Sequence, residues 1–265
     1  MKKNIILLVL VFTSIIVFFL IKNKLNTDIS MPTKELAASK KGWIWLENYR
    51  DNFYDPTPFF IMEETNDKYC HSPKIENFIE KKWEGFENHY YLSVFERLFG
   101  SDDYKISEKV IKILDAPHTY YDDTLPQALY CDLHPIKKDF IEKSFDNIEN
   151  ETGYDLTHRF WLSILFKENG CSVNNYDLDK IIKDRAKKIA EEQEKSVGFN
   201  DLYAERTAFL LHFGFENLVK KEWINNIVKN QKKSGAWETP ELGENPHTTA
   251  LAVMALAEYE KKCPF

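Results

Sequence analysis

Four times along the chain a polar break carrying an acidic or amide residue opens a strongly apolar segment. Asp122 and Asp123 precede TLPQALYCDLH, Asp155 precedes LTHRFWLSILF, Asp201 precedes LYAERTAFLLHFG, and Asn245-Pro246 precede HTTALAVMALAEY. Between them lie amphipathic segments with a charged back, at Lys137 to Ile148, Leu178 to Glu194 and Val219 to Asn230. A helix that is apolar all round must be buried on most faces, whereas one with an apolar stripe lies outside. The alternation therefore predicts an all-α fold with an inner and an outer layer of helices. The last three inner-helix starts are spaced by about 45 residues, which suits a helical-hairpin repeat. The first unit is shorter.

The final hairpin is the most explicit. An amphipathic segment containing Trp223, Ile224, Ile227 and Val228 runs to Gln231, breaks at Ser234-Gly235, turns through Trp237, Pro240, Gly243 and Pro246, and enters a nearly all-apolar helix. A helix carrying Gln, followed shortly by Gly-x-Trp, resembles the QW repeat of the terpenoid cyclase and protein prenyltransferase superfamily. That resemblance implies an α/α toroid, a barrel of helical hairpins, but no particular reaction. Upstream, Gly42-Trp43-Ile44-Trp45-Leu46 resembles the opening helix of such toroids, and 42–265 is the expected toroid domain. Phe53 to Tyr69, rich in Pro, Asp and aromatics, is expected not to form regular helix. Helical spacing returns over Ile75 to Phe99 and Ile106 to Leu114.

Ile5 to Ile21 is broken only by Thr13 and Ser14 and is flanked by Lys2, Lys3, Lys22 and Lys24. At about 1.5 Å per residue it spans roughly 25 Å, enough for a thin hydrocarbon core. The exit lacks a small-x-small cleavage site, so residues 1–24 read as an uncleaved signal anchor, a transmembrane helix that partners the membrane. The positive-inside bias favours an extracytoplasmic C-terminal domain. Residues 25–41, polar and containing Pro32, read as a tether.

The net charge of −7 argues against a nucleic-acid partner. The four cysteines, at 70, 131, 171 and 263, are irregularly spaced without a CxxC pair, and on spacing alone define neither a disulfide framework nor a zinc finger.

In a layered barrel the N-termini of the inner helices converge on one end, and each offers polar groups in its first turn. These are Asp122 and Asp123; Asp155 and His158; Asp201 and Glu205; and His247 with Thr248. The candidate catalytic set is His158, His247, Asp155, Glu205, Asp201 and Asp123, a cluster of carboxylates and imidazoles suited to general acid and base chemistry or to a divalent metal. The plainer explanation is capping, since Asp and Asn before a helix are preferred N-caps and acids in a first turn suit the helix dipole. His158 and His247 are not at cap positions and precede apolar faces, so each needs a partner or a polar cavity.

Cys131, Asp132 and His134 form a second candidate group. Protein prenyltransferases hold zinc with an Asp, a Cys and a His in a His-Thr setting, which His247-Thr248 resembles, so Cys131, His134 and His247 are candidate zinc ligands. The Asp-Cys spacing departs from that pattern. The Asp-x-Asp-Asp acid and the Asp-Asp-x-x-Asp magnesium motif of terpenoid cyclases are absent, as are a phosphate loop, His-Glu-x-x-His and Gly-x-Ser-x-Gly. The expectation is a membrane-anchored toroid enzyme acting on a lipid or glycan through its acid and histidine cluster. The alternatives are a non-catalytic binding or scaffold domain for a small-molecule or protein ligand, and a zinc prenyltransferase-like protein.

Overall fold

The helix at the centre of the fold is the last one, Pro246–Glu260 (α11 below), buried around its whole circumference from Thr248 to Ala257 by small and apolar side chains. Its start is fixed by Asn245, whose side chain accepts from the Thr248 backbone N–H at 3.0 Å, and by Pro246 in the first turn. The computed structural model describes residues 32–49, 57–83, 97, 106–115, 125–146, 148–173, 175–240 and 243–265. Asp122, Asp123, the expected signal anchor and the end of the expected helix at 75–99 lie outside them. Among the described residues no helix is long and apolar enough to cross a membrane.

Among the described residues the unit Lys34–Phe265 is all-α apart from two two-residue strands. In chain order its helices are α1 (Lys34–Asn48), α2 (Thr57–Thr65), α3 (Pro73–Trp83), α4 (Glu108–Asp115), α5 (Leu125–Leu129), α6 (Lys138–Phe145), α7 (Gly153–Glu168), α8 (Leu178–Glu194), α9 (Asp201–His212), α10 (Lys221–Lys229) and α11. Strands β1 (Glu238–Thr239) and β2 (Gly243–Glu244) pair antiparallel within the last hairpin turn. Helices α7, α9 and α11 are the expected inner helices, and α6, α8 and α10 are the amphipathic helices before them. On α8 the buried positions Ile181, Ile182, Arg185, Ala186 and Ile189 form one stripe. The inner helices run in one direction: Tyr154, Asp201 and His247 meet at their N-terminal ends, while His212 and Glu258 meet at the C-terminal ends.

Three expectations are corrected. The folded unit starts at Lys34 rather than Gly42, taking in part of the expected tether, because Ala38 and Ser39 bury one turn before Trp43. Thr57–Thr65 is a regular helix continued by a π-helical turn at Asn66–Cys70; Pro58 sits in the first turn, where its missing N–H costs nothing, and Phe59, Ile61 and Met62 are buried. The cysteines do form disulfides, Cys70 with Cys263 and Cys131 with Cys171, at Cα separations of 4.9 and 5.5 Å. Irregular sequence spacing hid them because each pair joins segments far apart in the chain.

Candidate functional site

The site is built where α9 and α11 begin, against the first turns of α7. Asn200 caps α9 by accepting from the Tyr203 N–H at 2.8 Å, which frees Asp201, the first helical residue, to point sideways. Asn245 does the same for α11, and His247 follows. Each cap side chain accepts from one helix-end N–H group. Asp201 and His247 are therefore not caps.

The carboxylate of Asp201 accepts from Thr248 Oγ1 at 2.5 Å and from Tyr154 OH at 2.9 Å, and lies 3.0 Å from His247 Nδ1. Burial works against its charge, but the hydrogen bonds from His247, Thr248 and Tyr154 outweigh burial and hold the carboxyl below the usual carboxylate range. One turn along α9, Glu205 is only 1% exposed. It accepts from Thr157 Oγ1, and His158 Nε2 lies 3.8 Å from its Oε1. Burial pushes this carboxyl up against the opposing pull of His158 and His247, and the negative charge of Asp201 adds to the rise. The side chains of His158 and His247 are each 24% exposed, so both imidazoles form the rim of a cluster whose floor is Glu205.

One ligand atom from each of Asp201, Glu205 and His247 lies within 4.8 Å of the others, close enough for a shared cation. Two carboxyl groups whose surroundings drive their proton affinities apart are also the arrangement expected of an acid and base pair.

His158, Asp201, Glu205 and His247 thus stand together. Asp155 does not join them: it lies 2.5 Å from Arg159 Nε in an ion pair of α7's first turn. Asp123 lies outside the described residues. Cys131 is no zinc ligand, since its sulfur is bonded to Cys171, and His134 lies 3.2 Å from Asp115, whereas His247 groups with Asp201 and Glu205. Tyr154 and Thr157 were missed. Their signal was spacing, because with His158 they occupy the same face of α7 one turn apart.

A second polar group occupies the C-terminal ends of the inner helices. The buried carboxylate of Glu258 lies 2.7 Å from His212 Nδ1 and 2.8 Å from Lys68 Nζ, and accepts from Tyr69 OH at 2.5 Å. Burial opposes its charge, yet His212, Lys68 and Tyr69 together pull the carboxyl down to about 2. Sequence reading missed this group because Lys68 and Tyr69 follow α2, in the segment expected to be irregular. Compared with known protein families, curated proteins and solved structures, the chain matches none.

Proposed function

We propose that this chain is an exported, membrane-tethered α/α-toroid hydrolase, acting on a lipid or glycan from the cluster at the N-terminal ends of its inner helices. The observation that carries the reading is the convergence of Asp201, Glu205, His158 and His247 from three helices onto one solvent-reachable point. The toroid is supported by packing of α11, the last inner helix, against α1 and α2, the first two helices. Export is supported by the pairing of all four cysteines, which persists in oxidising compartments, together with the apolar N-terminal segment.

The chemistry follows from the protonation states. Asp201 is held below the usual carboxylate range and accepts the Nδ1 hydrogen of His247, which selects the tautomer whose Nε2 can accept a proton. Nε2 takes a proton from water as that water attacks an ester or glycosidic carbon. Glu205, whose carboxyl burial drives toward the protonated form, delivers a proton to the departing oxygen, so the scissile C–O bond breaks without expelling a bare alkoxide. A second reading, that Asp201, Glu205 and His247 hold a divalent cation, is favoured by the mutual reach of their ligand atoms. Such a cation would ionise Glu205 and supply Lewis acidity to a bound oxygen.

The full chain in non-ionic detergent, assayed on panels of glycosides and lipid esters, tests both. Acid and base catalysis predicts turnover that survives chelator, and a fall of roughly 100-fold or more in kcat for Glu205→Gln and for His247→Asn in variants that still fold cooperatively. Loss of turnover on chelation, restored by zinc or manganese, selects the cation. Absence of turnover across both panels selects the scaffold alternative.

A further inference from the structure

At the opposite end of the inner helices a cavity of about 790 Å³ opens between α2 and the C-terminal ends of α7 and α9. Its apolar walls include Phe60 and Trp161, stacked at 5.3 Å, together with Phe213 and Phe215. Basic residues also line it, but they face acidic partners. Lys68 lies 2.8 Å from Glu258, Arg97 Nη2 donates to Asp132 at 2.7 Å, and Lys167 lies 2.6 Å from Asp179, beside which Lys183 also lies. Glu64 lies 3.5 Å from His212 Nε2. Glu168, in the last turn of α7, makes no hydrogen bond or ion pair among the described residues and is exposed to the cavity.

The end of α9 shows how this wall treats an ammonium group. Lys68 Nζ donates to the His212 carbonyl at 3.2 Å while pairing with Glu258, so a helix C-terminus and a carboxylate together hold a cation. The end of α7 offers the same combination, its C-terminus and Glu168, with aromatic residues lining the same cavity and, among the described residues, no ammonium within ion-pair distance of that carboxylate. Burial, then the neighbouring Glu64, raise the proton affinity of Glu168 and outweigh the opposing pull of His212 and Lys167.

We propose that this cavity binds a small organic cation, an alkylated ammonium held by Glu168 and the C-terminal end of α7 with its apolar groups against Phe60, Phe213 and Phe215. The site is separate from the Asp201 and Glu205 cluster and does not depend on the reaction assigned there. Choline is the probe, with 3,3-dimethylbutanol as the uncharged molecule of the same shape, each titrated calorimetrically into the full chain. Saturable choline binding is expected, weaker by about tenfold for the alcohol and by a similar factor for choline binding to Glu168→Gln. Glu142→Gln, on the outer surface of α6, should bind as the parent does. Equal affinity for choline and the alcohol, unchanged affinity in Glu168→Gln, or no saturation with choline would each overturn the proposal. Unfolding curves of Glu168→Gln, matched to the parent, separate lost recognition from lost fold.

Discussion

Asp201 and Glu205 stand one helical turn apart on α9, yet Asp201 is held as an anion and Glu205 is driven toward its protonated form. The difference lies in their neighbours. Asp201 receives hydrogen bonds from an imidazole and two hydroxyls, whereas Glu205 is sealed between α7 and α9 with one threonine hydroxyl donating to it.

That contrast fixes a pH dependence. The proton affinity of Glu205 is raised on folding, so its contribution to stability is complete below the ordinary glutamate value and is lost as pH climbs through the raised value. Glu205→Gln mimics the protonated group and should hold stability flat across that window, exceeding the parent at alkaline pH. Urea midpoints from pH 4 to 9 check this. A parent whose midpoint does not fall relative to the variant as pH rises would show that Glu205 folds ionised, as a bound cation would require.

The disulfides should dominate the response to reductant. Loop-closure entropy assigns roughly 4 kcal/mol to the Cys131 and Cys171 link and roughly 5 kcal/mol to the Cys70 and Cys263 link, whose sequence separations are 40 and 193. Cys131→Ser and Cys263→Ser variants should each show a lowered urea midpoint without reductant. Mass spectrometry of the alkylated parent should find no free thiol.

How much of this was legible before the structure turns on the range of the signal. The inner helices α7, α9 and α11 and the meeting of His158, Glu205 and His247 could be anticipated because burial writes itself into contiguous apolar runs and because parallel helices bring equivalent first turns together. Asp155 looked equivalent to Asp201, yet Arg159, one turn away, captures it. The disulfides, the buried Arg185 and the cavity around Glu168 were not legible, since each depends on residues brought together across many intervening positions. Helix α2 was misjudged because Pro58 reads as a helix breaker until it is known to lie in a first turn.

Arg185 makes the most testable of these hidden contacts. Its side chain is fully buried, its Nε donates to Glu151 Oε2 at 2.8 Å, and its other nitrogens reach the carbonyls of Arg159 and Ser144 at 3.0 and 2.6 Å. Arg185→Met leaves the buried Glu151 carboxylate with only Arg159, whose Nε lies 3.9 Å away, and should cost about 3–5 kcal/mol, whereas Arg185→Met with Glu151→Leu should recover much of it. Chemical denaturation of the two variants decides whether the pair is held for its charge or for its shape.

At the far end of the inner helices, the pairing of His212 with Glu258 sets a stability optimum on the acid side of neutrality. Glu258 is lowered from 4.5 to about 2, so its contribution is present above 4.5 and lost as pH falls toward 2. His212 is raised from 6.5, because Glu258 and Glu64 together overcome its burial, so its contribution is present below 6.5 and lost as pH climbs past the raised value. Both contributions are complete only between those limits. His212→Asn should flatten the alkaline limb of the stability profile, and Glu258→Gln both limbs, as read from urea midpoints; a parent profile with no alkaline decline beyond that of His212→Asn would contradict the pairing.

The last hairpin is locked to the first helix by the residues that make it resemble a QW repeat. Gln231 Nε2 lies 2.7 Å from the Ala38 carbonyl and 2.8 Å from the Gly235 carbonyl, and Trp237 Nε1 donates to Ile227 at 2.7 Å. Gly235 has φ +106°, and a Cβ there would sit 2.6 Å from the Lys41 carbonyl, so backbone runs directly against backbone. Gly235→Ala must therefore both strain its own residue and push α1 away from the turn of the last hairpin. Gln231→Ala loses one amide bridge and leaves that backbone approach intact. Hydrogen exchange should show α1 amides losing protection strongly in Gly235→Ala and only modestly, by about 1–2 kcal/mol, in Gln231→Ala. If α1 stays protected in Gly235→Ala, the backbone contact between α1 and the last hairpin is dispensable to the fold.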